Sequence, residues 1–175
     1  TTGALLRTFT NPTPAINDQF GNSVAAVGNN IAIGAPDRFD IYPHLDRDAA
    51  VYLFDSITGN LLRTFTNPTP EINDSFGSRN SVAAVGNNVL IGAPTVGNSA
   101  LNGILAPSPV PEVRSPGSAY LFDSTTGSLL QNFPNPRPQI GDLFGNSVAA
   151  LGNHSLINVP NERVENLVAG AVYLF

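Results

Sequence analysis

FGNSVAAVGNNIAIGAP, at residues 20–36, decides the fold, because the chain writes it again. It returns as FGSRNSVAAVGNNVLIGAP at 76–94 and, altered, as FGNSVAALGNHSLINVP at 144–160. Each copy leads, through a segment of variable length, to AVYLF or SAYLFD. In the first two copies a Thr-Gly turn and then LLRTF or LLQNF follow. Phe9, Phe65 and Phe133 are spaced by 56 and 68 residues, as are Phe20, Phe76 and Phe144. A unit repeated at such a period is one supersecondary element stacked on its copies.

Alternating and β-branched residues between turn formers predict four strands per unit. In the first unit they fall at 23–27, 30–33, 50–54 and 61–65. Gly28-Asn29-Asn30 and Gly86-Asn87-Asn88 read as tight hairpin turns, since Gly and Asn tolerate the positive φ those turns need. Residues 55–59 and 123–127 read as second hairpins. Asn67-Pro68-Thr69-Pro70 and its two relatives follow the fourth strand, and proline's missing amide ends pairing there. No window shows a useful helical period.

Four short antiparallel strands, repeated, predict a propeller blade. The expected fold is all-β and β-propeller-like, with three four-stranded antiparallel blades in one repeat domain spanning 1–175. The first blade covers 20–65, the second 76–133 and the third 144–175. Residues 1–9, TTGALLRTF, carry the phase of a fourth strand, and the final AVYLF that of a third. The N-terminal strand is therefore expected to complete the last blade, of the same chain or of another. Closed propellers have roughly 4 to 8 blades, so three call for more. A second copy could close a ring, copies could join head to tail as a filament, or a longer propeller could supply the rest. Open strand edges favour self-association.

Composition narrows the function. The 175 residues are 42% hydrophobic and only 12% charged, with 16 Gly and 15 Pro, which fits an ordered, turn-rich β protein rather than a disordered one. Net charge is −5, with eight Arg and no Lys. No basic stripe exists, which argues against nucleic acid and against an anionic membrane surface. No apolar run approaches the ~20 residues of a membrane span. Without cysteine, disulfides, thiolate metal sites and a Cys nucleophile are excluded. The chain begins at Thr1 and holds no Met, as a processed product or a piece of a longer protein would.

Phe-Gly, then about a dozen residues, then Gly-Ala-Pro resembles the FG-GAP repeat of integrin alpha-subunit β-propellers. The form DxFGxSVAAxGNxxxIGAP, followed by AVYLFD, resembles its bacterial branch. Copies one and two carry the pattern fully, whereas the third has Asn158-Val159-Pro160 in place of Gly-Ala-Pro. The resemblance implies a β-propeller, usually extracellular, used mostly for adhesion or protein recognition.

Several residues are candidates for function. Asp18, Asp74 and Asp142 stand two residues before each Phe-Gly. Their recurrence favours turn capping over a displayed carboxylate. Phe20, Phe76 and Phe144 read as wedges between blades. Asp37, Asp40, Asp46 and Asp48 form the one acidic cluster, in the loop where integrin-like propellers place calcium. Calcium takes six to eight oxygens, so calcium is the candidate cofactor there. The spacing departs from the family's calcium pattern, the loop lacks a turn-forming Gly, and Arg38 and Arg47 offer the carboxylates other partners. His44 and His154 lie in non-equivalent places, and no serine sits in a nucleophile elbow. Asn73-Asp74-Ser75 and Asn153-His154-Ser155 fit the glycosylation triplet. The chain has no Trp; Tyr52, Tyr120 and Tyr173 read as core, leaving Tyr42 as a free loop aromatic.

The resulting expectation is a non-enzymatic structural or adhesive module, secreted or on a cell surface. Its expected partners are itself and other surface proteins or glycans. The alternative is a calcium- or glycan-binding module using the long loops 37–48 and 95–118.

Overall fold

The computed structural model describes residues 3–15, 18–36, 49–70, 74–95, 115–165 and 167–175. Among these there are thirteen strands and no helix, so none is long and apolar enough to cross a membrane. Strands β1 (Ser23–Val27), β2 (Asn30–Ala35), β3 (Ala50–Asp55) and β4 (Leu61–Thr66) form an antiparallel sheet in sequence order. Strands β5 (Val82–Val85), β6 (Asn88–Ala93), β7 (Ser118–Asp123) and β8 (Leu129–Pro134) repeat it. The first-unit strands expected from alternation agree with those observed to within two residues.

The third unit is shorter. Strands β9 (Val148–Leu151), β10 (His154–Val159) and β13 (Ala171–Leu174) make a three-stranded sheet. Its variable segment is a small hairpin of β11 (Arg163–Val164) and β12 (Leu167–Val168). The hairpin turns that precede β2, β6 and β10 carry Gly28, Gly86 and Gly152 at φ near +60°, the conformation that glycine adopts freely.

Register makes the units superimposable residue by residue. Gly34 pairs with Val51, Gly92 with Ala119, and Asn158 with Val172. The third and fourth strands of units one and two carry the same irregularity, between Leu53 and Phe54 and between Leu121 and Phe122.

The units pack face to face, with β1 beside β5 and β5 beside β9. One apolar core lies between sheets one and two, where Val27, Val51 and Leu53 meet Phe76, Ile91 and Phe122. A second lies between sheets two and three, around Val85, Ala119, Phe144 and Ile157. A third covers the front of sheet one, where Phe9 and Phe20 pack on Ile33, Tyr52 and Phe54. Neither face of one sheet is satisfied alone, so apolar burial drives stacking.

The N-terminal segment does not complete the third sheet of its own chain. Residues 3–10 belong to no strand, and Phe9 packs on Phe54 of β3 with ring centroids 5.3 Å apart. Phe65 of β4 packs in the same way on Phe122 of β7, at 5.1 Å, and Phe133 of β8 on Phe175, at 4.9 Å. The segment thus stands before sheet one as β4 stands before sheet two. Its Arg7 and Phe9 make on sheet one the contacts that Arg63 and Phe65 of β4 make on sheet two.

Candidate functional site

The residues that recur in every copy converge on the junctions between units. Each Phe-Gly loop bonds its own unit, and the second and third also meet the unit before. Its amide bonds the glycine carbonyl of its own Gly-Ala-Pro: Gly21 N–H donates to Gly34 O, and Gly77 N–H to Gly92 O, both at 3.0 Å. Its carbonyl lies against the Gly-Ala-Pro glycine of the preceding unit. A Cβ built on Gly34 would stand 2.1 Å from Gly77 O, and one on Gly92 only 1.9 Å from Gly145 O. Glycine is required there for space. Ser23 adds a hydroxyl that donates to Gly77 O at 2.6 Å.

The aromatic wedge is equally regular. Phe20, Phe76 and Phe144 present edges to Phe54, Phe122 and Phe175, at 6.1, 6.3 and 6.4 Å with near-perpendicular planes. That edge-to-face arrangement suits the ring quadrupoles.

Each connector before a Phe-Gly loop is clamped by an Asn and an Asp seven residues apart. Asn11 donates to Asp18 at 2.6 Å, Asn135 to Asp142 at 2.7 Å, and Asn67 to Asp74 likewise. The Asn carbonyl oxygens accept from the amides of Thr13, Thr69 and Arg137, all at 3.0 Å. Asp18 and Asp142 also accept from the amides of Ala15 and Gln139, at 2.5 and 2.8 Å, and so cap turns, as their recurrence predicts. The amide partner was legible in the fixed Asn-to-Asp spacing but carries no signal in any single copy.

A tyrosine hydroxyl anchors each connector to its sheet. Tyr52 bonds Thr13 at 2.6 Å, and Tyr120 bonds Thr69. In the third unit Arg137 replaces that threonine, and Tyr173 donates instead to Glu162 Oε2 at 2.7 Å. Glu162 is buried, and its other oxygen lies 3.6 Å from the Arg137 guanidinium. Burial first, and then this bond, push the Tyr173 phenol above its ordinary ionisation range.

The Asp-Ser-x-Thr-Gly turns form the last recurring contact. Asp55 accepts from the amides of Ile57 and Thr58, at 2.9 and 2.6 Å, and Asp123 from those of Thr125 and Thr126, both at 2.7 Å. Arg7 donates to the carbonyls of Ile57 and Thr58, and Arg63 to that of Thr125. Each arginine thus reaches onto the turn of the following unit. The Thr58 amide, above all, holds Asp55 below the ordinary carboxylate value of 3.8, and the Thr126 amide does so for Asp123. A carboxyl depressed on folding stabilises the fold above its unfolded value and loses that contribution as pH falls through its folded one. Melting temperature followed from neutral pH to about pH 2.5 is expected to fall less steeply for the double variant Asp55→Asn/Asp123→Asn than for wild type. Identical slopes would remove these turns from the acid response.

The other candidates lie elsewhere. Asp37, Asp40, Asp46 and Asp48, together with His44, Tyr42 and Asn73, are outside the described residues. Among the described residues no group of three His, Asp or Glu could hold a metal ion. His154 is exposed at the start of β10, with Nδ1 3.3 Å from Phe175 O. Asn153 is exposed in the turn before it. Tyr52 and Tyr120 are buried and Tyr173 is half-buried. An open cleft of about 430 Å³ beside sheet one is lined by Tyr52, Thr13, Asp18, Thr64 and Thr66 among others.

The family model of the FG-GAP repeat matches residues 9–54. This chain carries an FG-GAP repeat. The matched stretch runs from Phe9 to the Phe54 it packs on and includes the first Phe-Gly and Gly-Ala-Pro. The second and third copies repeat the FG-GAP pattern by internal likeness, the third with its glycine replaced. No curated protein matches the chain. Sixteen chains of solved structures match it. One is the crystal structure of the computationally designed Ika4 protein, 17% identical over 99% of this chain and 98% of that chain, with a TM-score of 0.36.

Proposed function

We propose that this chain is a non-enzymatic structural or adhesive module of extracellular or surface type, built as three propeller blades that associate with a second copy. The FG-GAP repeat supports the propeller reading and the extracellular one, since such repeats are typical of surface proteins. In this reading the N-terminal strand of one copy completes the third blade of another, giving a ring or a filament.

One observation carries the self-association. Val27 and Val85, at one repeat position, are 2% and 4% exposed because the next unit covers them, whereas the equivalent Leu151 is 60% exposed. Val172 and Leu174 are likewise exposed where Val51 and Leu53 are buried. At the other end Val24 is 65% exposed, while Val82 and Val148 are 7%. The first and third units thus expose apolar faces matching those the chain buries between its units, and a second copy would complement them.

Light scattering on the 175-residue chain, across a concentration series, tests this. A discrete dimer would support a ring of six blades, from two copies of three. An open-ended series would support a filament. A monomer at every concentration would end the self-association reading and leave the adhesive module alone.

A further inference from the structure

The third unit carries a side chain at a position where the first two units have no room for one. Asn158 holds the place of Gly34 and Gly92, as its register opposite Val172 establishes. At both internal junctions the next unit's Phe-Gly carbonyl lies where a Cβ of that residue would be, within about 2 Å by the 2.1 and 1.9 Å separations above. Asn158 has such a Cβ. Its amide oxygen also accepts from the Ser147 amide at 2.6 Å, which fixes the side chain over the third sheet. The partner group in question is backbone, so no rotamer change relieves the overlap.

We infer that Asn158 is a stop for head-to-tail stacking: it bars the Phe-Gly loop of a second copy from seating on the third unit in the repeat geometry. This inference rests on the self-association reading for its partner. It also decides how that partner can bind. The Phe9 segment is held on its own sheet by Phe54 and by the Arg7 bonds to Ile57 and Thr58. A second copy that kept this segment in place would bring Gly21 onto Asn158. Pairing of its N-terminal segment with β13 therefore requires that segment to leave its own sheet. Asn158 prevents the exposed Leu151, Val172 and Leu174 from seating a second copy head to tail. Natural β proteins guard exposed edges with comparable obstructions.

The test is the native mass of wild type, Asn158→Gly and Asn158→Ala across a concentration series, with melting curves to confirm folding. Asn158→Gly is expected to raise the weight-average mass at high concentration at least about twofold, by joining copies head to tail. Asn158→Ala is expected to keep the wild-type mass, because its Cβ alone blocks the loop. Both variants lose the bond to Ser147, and glycine also loosens the strand backbone, so their melting curves are compared beside their masses. Equal masses for Asn158→Gly and wild type would overturn the inference, as would an equal gain in Asn158→Ala. The two readings separate cleanly. A monomeric wild type with an associating Asn158→Gly supports the stop and removes self-association of the natural chain. An associating wild type unchanged by the glycine removes the stop alone.

Discussion

Gly92→Ala is expected to destabilise the chain by about 3 kcal/mol or more, at or beyond the upper end of the usual cost of overpacking. The methyl group would stand 1.9 Å from Gly145 O and 2.8 Å from its carbonyl carbon. Both are backbone atoms, so the Phe-Gly loop of the third unit must back away as a whole. That loop carries Phe144, which is fully buried in the core between sheets two and three. Moving the loop opens that core, so steric overlap and lost burial act together. Gly152→Ala is the comparison. Gly152 has φ +61° and nothing within 4 Å of a built Cβ, so it should cost only the roughly 1–2 kcal/mol of a left-handed backbone conformation. Urea unfolding measures both. A Gly92→Ala variant no less stable than Gly152→Ala would mean that the loop is not seated as described.

The second large effect is at the wedge itself. Phe144→Ala is expected to cost about 3–5 kcal/mol, the range for truncating a buried phenylalanine. The ring touches Tyr173 and Phe175 within its own unit and fills the space behind sheet two. Phe76→Ala should cost as much, since Phe76 is also fully buried and contacts Tyr120 and Phe122. Phe20→Ala should cost less, because Phe20 is only half-buried, at the front of sheet one. That ordering follows from position in the stack and not from residue type. Denaturant midpoints for the three variants measure it, and three equal losses would contradict it.

Much of this architecture was legible in the residues because the forces that form it are local. The apolar, β-branched runs SVAAV and AVYLF, bounded by Gly-Asn and Asp-Ser-x-Thr-Gly, define β1, β3 and their turns without long-range information. The recurrence of Asp18, Asp74 and Asp142 beside each Phe-Gly marks them as caps, and the distances to Asn11, Asn67 and Asn135 agree. The acidic cluster at 37–48 stays a candidate from the sequence, outside the described residues.

The junctions were not legible in the same way. A Phe-Gly and a Gly-Ala-Pro are each visible, but nothing in their spacing says that the loop of one unit needs the glycine of the unit before it. Gly34 and Gly77 are 43 positions apart, and only packing shows that neither can carry a side chain where they touch. The same holds for Asn158. As a sequence change it reads as wear in a repeat. Set opposite Val172 and over Ser147, it becomes an obstruction. The exchange of Thr13 and Thr69 for Arg137 likewise makes sense only beside buried Glu162, which takes over the Tyr173 hydroxyl.

By itself, then, the sequence determined the repeating four-strand unit, its turns and its wedge aromatics, because strand-forming side chains and glycine or proline geometry act within a few residues. Only the tertiary structure decided which loop meets which glycine, where the N-terminal segment rests, and which end is obstructed. Those outcomes depend on van der Waals contact between units, where a single Cβ at about 2 Å outweighs any local preference.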